Sequence, residues 1–264
     1  MVNTIAAIAI VVAITAGWVI VVQYLLPVRT KWRVVALALG LGALSPVPLL
    51  IALRFRAPLA LPEDPGLSDG FVISLTMAGL PEEFVKTVAV LAAFLVLRHF
   101  TVFHREVDRA TMFRLPLLCG LAFAAVENIA YSINPEMAAM VTTEVGNPLL
   151  IPLGRSLAAS FLHASLGCLM GIFFMRLADS QRFNYVAALG GFVVAVIGHT
   201  AIDWGLIVPA LTAIGMMGRG ETLDPAALEQ LAPHFLLAAV AIPSVILAAI
   251  ASVIVMRRRL RATA

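Results

Sequence analysis

The chain has 264 residues, 61% of them apolar and 12% charged, and its 18 Lys+Arg against 15 Asp+Glu leave a formal net charge of +3. Charge is about half that of an ordinary soluble domain and mean hydropathy is +1.00, which excludes a water-soluble globule. Cys119 and Cys168 both lie inside apolar runs, excluding a disulfide framework and a CxxC zinc module; no basic stripe interleaved with aromatics supports nucleic-acid binding.

A membrane-spanning helix needs roughly 20 mainly apolar residues, because the hydrocarbon is about 30 Å thick and a helix rises about 1.5 Å per residue. Seven stretches qualify, at 4–26, 34–53, 71–97, 115–133, 152–175, 186–209 and 234–256. They predict an all-α polytopic bundle forming one integral membrane domain over 1–264. The first stretch has no basic residue before it and is followed by Arg29, Lys31 and Arg33, so it reads as a retained anchor and not a cleaved signal. With the N-terminus outside, thirteen Lys/Arg fall on the cytoplasmic side, Arg114 and Arg257 among them, and four on the outer side, Arg54, Arg56, Arg155 and Arg219. Positive residues stay inside, so the expected orientation is N-terminus out, C-terminus cytoplasmic, in the cell membrane. The outer connections, 57–70, 134–151 and 215–233, are short and rich in Pro and Gly and leave no room for a soluble domain.

Seven ionisable residues remain inside the spans: Glu82, Glu83 and Lys86 on the third, Glu127 on the fourth, His163 on the fifth, His199 and Asp203 on the sixth. A charge at the centre of a membrane helix costs about 2.5–3.5 kcal/mol on insertion scales, so such residues are functional candidates. Counted from the outer ends at about 1.5 Å per residue, Glu82 and His163 lie roughly 17 Å deep, His199 roughly 15 Å, Glu127 roughly 10 Å and Asp203 roughly 9 Å. Four helices therefore bring polar groups to one layer in the outer half. Glu82 and Lys86 are i,i+4, Glu83 and Lys86 i,i+3, and His199 and Asp203 i,i+4, spacings that pair side chains on one helical face. Gly79 and Pro81 predict a fresh helical turn just before Glu82.

Water-activating hydrolysis needs a base and groups that stabilise a developing oxyanion. Glu82 suits the first role, His163 and His199 the second. Glu127, His163, His199 and Asp203 are also side chains that zinc accepts, although no HExxH is present. Gly154-Arg155-Ser156-Leu157 is a weak match to a GxSx serine motif. An aspartyl pair is excluded, since Asp203 is the only aspartate within a span.

Glu82-Glu83-Phe84-Val85-Lys86 resembles an EExxK motif, Phe123-Ala124-Ala125-Val126-Glu127 an FxxxE motif, and His199-Thr200-Ala201-Ile202-Asp203 an HxxxD motif; with the isolated His163 between them, the set resembles the PrsW intramembrane proteases, relatives of the CAAX-prenyl and bacteriocin-processing proteases and of the Aph subunit of gamma-secretase. The resemblance covers a four-helix catalytic core, 71–209. It implies hydrolysis of a peptide bond in a membrane-anchored protein, such as an anti-sigma factor, near the outer face. The implied catalytic residues are Glu82 as base, Glu83 as its partner, and His163 and His199 as stabilisers, with Lys86, Glu127 and Asp203 supporting. Glu127 stands where the CAAX relatives have a histidine. No cofactor is required on the glutamate-type reading; a divalent metal, zinc, is its alternative. The expected partners are the bilayer and a membrane-anchored substrate, with no nucleic acid. Two other readings use the same residues: an ion- or proton-coupled transporter, testable by flux in proteoliposomes, and a non-enzymatic Aph-like scaffold, which has no need of the buried Glu82-Glu83 pair.

Overall fold

The computed structural model describes residues 4–54, 66–100, 107–133, 149–179, 184–218 and 225–262. All regular structure among them is helical: α1 Thr4–Tyr24, α2 Trp32–Leu44, α3 Val47–Arg54, α4 Leu67–Ser74, a π turn Leu75–Gly79, α5 Leu80–His99, α6 Arg109–Ile133, α7 Leu150–Phe174 with a 3-10 turn Met175–Leu177, α8 Tyr185–Gly218 and α9 Pro225–Ala262. Six stretches are long and apolar enough to cross a membrane: Thr4–Tyr24, Trp32–Ala52, Arg109–Ile133, Pro152–Leu177, Tyr185–Leu206 and Leu231–Ala262. The chain is thus a multi-pass membrane protein. The predicted third span falls on α4, the π turn and α5 and is not among the six, because α5 carries Glu82, Glu83, Lys86 and Arg98.

Several boundaries differ from the sequence expectation. The predicted 215–233 loop is largely helical, since α8 runs to Gly218 and α9 starts at Pro225; at about 1.5 Å per residue, these helices outreach a 30 Å hydrocarbon layer. The α6 helix begins at Arg109, not 115, because the Asp108 carboxylate accepts the Thr111 N–H at 2.8 Å and caps it. The fresh turn expected before Glu82 is instead a continuation: Gly79 and Leu80 are both in the right-handed helical region, and the π turn joins α4 to α5. Proline has no N–H to donate and its ring crowds the carbonyl four residues back. The wider π turn ahead of Pro81 absorbs that conflict, and such turns recur at functional sites. Most of the remaining predicted loop residues, including Arg56, Glu63, Asp64, Glu136, Glu144, Arg219, Glu221 and Asp224, lie outside the described residues.

The bundle separates into two layers. The apolar core gathers Val34, Phe94, Leu97, Phe113, Leu117 and Phe174 together with Ala187, Ala195 and Met256. In α5 and α7 the seven ionisable residues named above precede these core positions, and in α6 and α8 they follow them, so alternating helix directions place all seven at one end of the core. Small residues set the closeness of the helices. A methyl group at Gly120 of α6 would stand 3.0 Å from the carbonyl oxygen of His163, and one at Gly167 of α7 would stand 2.7 Å from Leu117 Cα. This small-residue packing is the usual means of helix association in membranes, and it brings α7, with His163, against α6.

Candidate active site

The four helices converge on Lys86. Its ammonium stands 2.7 Å from Glu83 Oε1, 3.3 Å from Glu82 Oε2 and 2.8 Å from His163 Nδ1, and 4.2 Å above the Phe123 ring. Glu83 Oε1 also lies 2.8 Å from His199 Nδ1, and Glu127 Oε2 lies 3.2 Å from His163 Nε2. His199 Nε2 faces Asp203 Oδ2 at 3.5 Å and Glu82 Oε2 at 3.8 Å. The two imidazoles meet edge to face, centroids 5.4 Å apart. All seven residues singled out from the sequence therefore belong to one contiguous network.

The partners assign the imidazole hydrogens. An ammonium only donates and a carboxylate only accepts. His163 thus accepts from Lys86 at Nδ1 and donates to Glu127 from Nε2, while His199 donates to Glu83 from Nδ1 and turns Nε2 toward the Asp203 and Glu82 carboxylates. Glu82, His163 and His199 each offer a ligand atom within 4.8 Å of the others.

The donor set suits a divalent metal: one carboxylate, two imidazoles, and a second carboxylate behind each imidazole, the usual way a ligating histidine is oriented. It differs from the set read from the sequence, since Glu127 and Asp203 stand against the histidines and Glu82 takes their place. Both ring nitrogens of His163 are in contact, so a metal there displaces Lys86 from Nδ1 or Glu127 from Nε2.

A cavity of about 1040 Å³ opens beside this network. Glu82, Glu127, His163, His199 and Asp203 line its polar end; Pro46, Leu49 and Leu50 at α3, Met77 of the π turn, Leu162 of α7 and Ile202 of α8 line its apolar walls. The two adjacent glutamates part ways here. Glu82 borders the cavity with 15% of its side chain exposed, whereas Glu83 is 2% exposed and its Oε1 is shared by Lys86 and His199.

Arg155 and Tyr131 also line the cavity beside the network. Arg155, counted on the outer side at the start of the fifth predicted span, lies within α7 and lines the cavity; its Nη2 is 3.3 Å from Glu127 Oε1 and its guanidinium carbon 3.6 Å from the centre of the Tyr131 ring. A basic residue near the end of an apolar run reads as a topology signal, which is why it was missed; its spacing one helical face from His163, eight residues on, was the available clue. Ser156, its neighbour, is fully buried, lacks a hydrogen-bond partner and does not border the cavity, so the GxSx match places no nucleophile there. Arg114, counted as a loop cation, is 1% exposed. Removing one cation from each side leaves the direction of the charge bias unchanged.

Fold and site together define a multi-pass helical membrane protein with a buried carboxylate–histidine centre at the end of a cavity. A family model described as PrsW family intramembrane metalloprotease matches residues 30–246, and the chain belongs to that family. No curated protein and no solved structure matches it.

Proposed function

We propose that the chain hydrolyses a peptide bond of a membrane-anchored, anti-sigma-factor-like protein with water activated at Glu82. The observation that carries this reading is the split between the two glutamates: Glu82 alone of the pair borders the cavity, and Glu83 is committed to holding Lys86 and His199. Glu82 takes a proton from water, the resulting hydroxide attacks the scissile carbonyl, and the same carboxyl returns the proton to the departing amine. The oxygen that gains charge is stabilised by His199 at Nε2, when that nitrogen is protonated, and by the positive field of Lys86. Glu127 orients His163, and Asp203 flanks His199. A divalent metal held by Glu82, His163 and His199 would supply Lewis acidity and a more acidic bound water.

The reading includes seven spans, with α4, the π turn and α5 as the third, the N-terminus outside, the C-terminus cytoplasmic, and the whole chain as one domain in the cell membrane around a catalytic core at 71–209. The charge bias supports the orientation, and a buried pair of opposite charges on α5 lowers the cost of embedding it.

The test is Glu82→Gln in purified, reconstituted protein with a single-span reporter, paired with elemental analysis. Cleavage is expected to fall below detection with folding intact, and retained cleavage sinks the proposal. Stoichiometric metal in the wild type that survives in Glu82→Gln keeps Glu82 as base. Metal lost with that substitution makes it a ligand and overturns its assignment as the base.

A further inference from the structure

Arg155 is the site group whose bonding capacity the described residues use least. A guanidinium has five N–H donors, and one of them, on Nη2, meets Glu127 Oε1 at 3.3 Å. Its Nε is sealed from solvent with no acceptor, yet 32% of the side chain is exposed, and the residue lines the cavity. The orientation is fixed on two sides, by the Glu127 carboxylate and by the face of Tyr131, 3.6 Å away. This is a clamped guanidinium with donors to spare.

We propose that Arg155 is a substrate-positioning residue, whose remaining N–H groups hold a backbone carbonyl of the substrate one or two residues from the bond that is cut. The inference rests on the protease reading of the same site. Its first support is the physics of the substrate. A membrane-spanning segment must lose helical hydrogen bonds to expose a peptide bond, and every freed carbonyl in an apolar surrounding needs a donor. The walls contributed by Pro46, Leu49, Leu50 and Leu162 provide none from their side chains. Its second support is position. Arg155 and His163 contact opposite oxygens of one carboxylate, at 3.3 and 3.2 Å, so two hydrogen bonds and the width of a carboxylate lie between the guanidinium and the imidazole. That is too remote for the reacting carbonyl and commensurate with its neighbours along an extended strand, where successive Cα atoms are about 3.8 Å apart.

The experiment measures binding of a fluorescent single-span reporter peptide in the Glu82→Gln background, which does not require turnover, beside kcat and KM in the active chain. A hydrogen bond to a charged group contributes about 1.5–3 kcal/mol, so Arg155→Met is expected to weaken binding roughly tenfold or more and to raise KM by a similar factor with kcat changed less than about twofold. Arg155→Lys keeps the charge without the fork and falls between. Tyr131→Ala, which removes the platform, weakens binding by roughly threefold, as a partly exposed cation–π contact of about 0.5–1 kcal/mol implies. Should Arg155→Met fail to fold, the lysine and Tyr131 variants decide. Unchanged binding, or a fall in kcat at constant KM, overturns the proposal. A wild type that cleaves while Arg155→Met binds normally removes this inference alone; a wild type that neither binds nor cleaves removes the protease reading with it.

Discussion

Arg114 on α6 and Lys86 on α5 are both cations buried in a membrane-embedded bundle, and their surroundings have little in common. Arg114 donates to the carbonyls of Val22, Gln23 and Leu26 and to the Thr30 hydroxyl, at 3.1–3.3 Å. Three of these acceptors lie at or just beyond the end of α1, where carbonyls lack partners within the helix, and Gln23 and Thr30 close the knot with two reciprocal bonds. The cation is a cap: its acceptors are neutral, and its side chain is sealed. Lys86 instead sits among two carboxylates and an imidazole, with a cavity alongside. A buried charge in a membrane helix is therefore not by itself a site. The difference lies in groups of both signs, incompletely bonded, facing a space that a second molecule can enter.

Breaking the Lys86 network is expected to have the largest effect. Lys86→Met leaves Glu83 buried without its cation, and removal of one partner from a buried ion pair costs about 3–5 kcal/mol. Thermal unfolding in detergent should shift strongly downward, and cleavage should vanish even in the fraction that remains folded. Folded protein with full activity would mean that Lys86 has no part in the site.

Next in size is Arg114→Met. It strands acceptors that each cost about 1–3 kcal/mol when left unpaired; the Val22 carbonyl keeps the Leu25 N–H, and the other three set a stability loss of at least roughly 3 kcal/mol. Cleavage per folded molecule should stay at the wild-type level. An activity loss out of proportion to stability would erase the contrast between the two cations.

The same contrast explains what could be read from the sequence. The seven residues of the network were legible because each breaks an apolar run in mid-span, and because i,i+3 and i,i+4 spacing survives any uncertainty about where a helix ends. Arg114 and Arg155 were not, since each stands near the end of an apolar run, where hydropathy cannot separate a loop cation from one drawn into the bundle. The helix that claims Arg114 extends past its apolar run, α6 reaching back to Arg109, whereas Arg155 falls just inside the fifth run, where its charge reads as a marker of the outer side. The π turn was hidden for a different reason. Gly79 and Pro81 announce a local disturbance, but whether it opens a new helix or widens an existing one depends on tertiary contact; Gly79 packs directly against Thr200 of α8, where a side chain would collide. Gly79→Val is accordingly expected to push α5 away from α8, lowering cleavage severely through misplacement of Glu82 and Glu83 relative to His199, with a stability loss of about 1–3 kcal/mol from overpacking.

The smallest expected effect belongs to Ser156→Ala, and its value lies in the residue next to it. Adjacent residues on a helix point about 100° apart. Arg155 therefore reaches the cavity, while Ser156 is turned into the protein, fully buried with an unpartnered hydroxyl. Replacing that hydroxyl with hydrogen removes a buried polar atom that has no hydrogen bond, so stability should stay within about 0.5 kcal/mol of wild type or rise slightly. Cleavage of the reporter should be unchanged in both kcat and KM, whereas Arg155→Met, one position away, raises KM. Loss of cleavage in Ser156→Ala at normal stability would move the nucleophile from water to serine and with it the whole assignment of the carboxylate–histidine network.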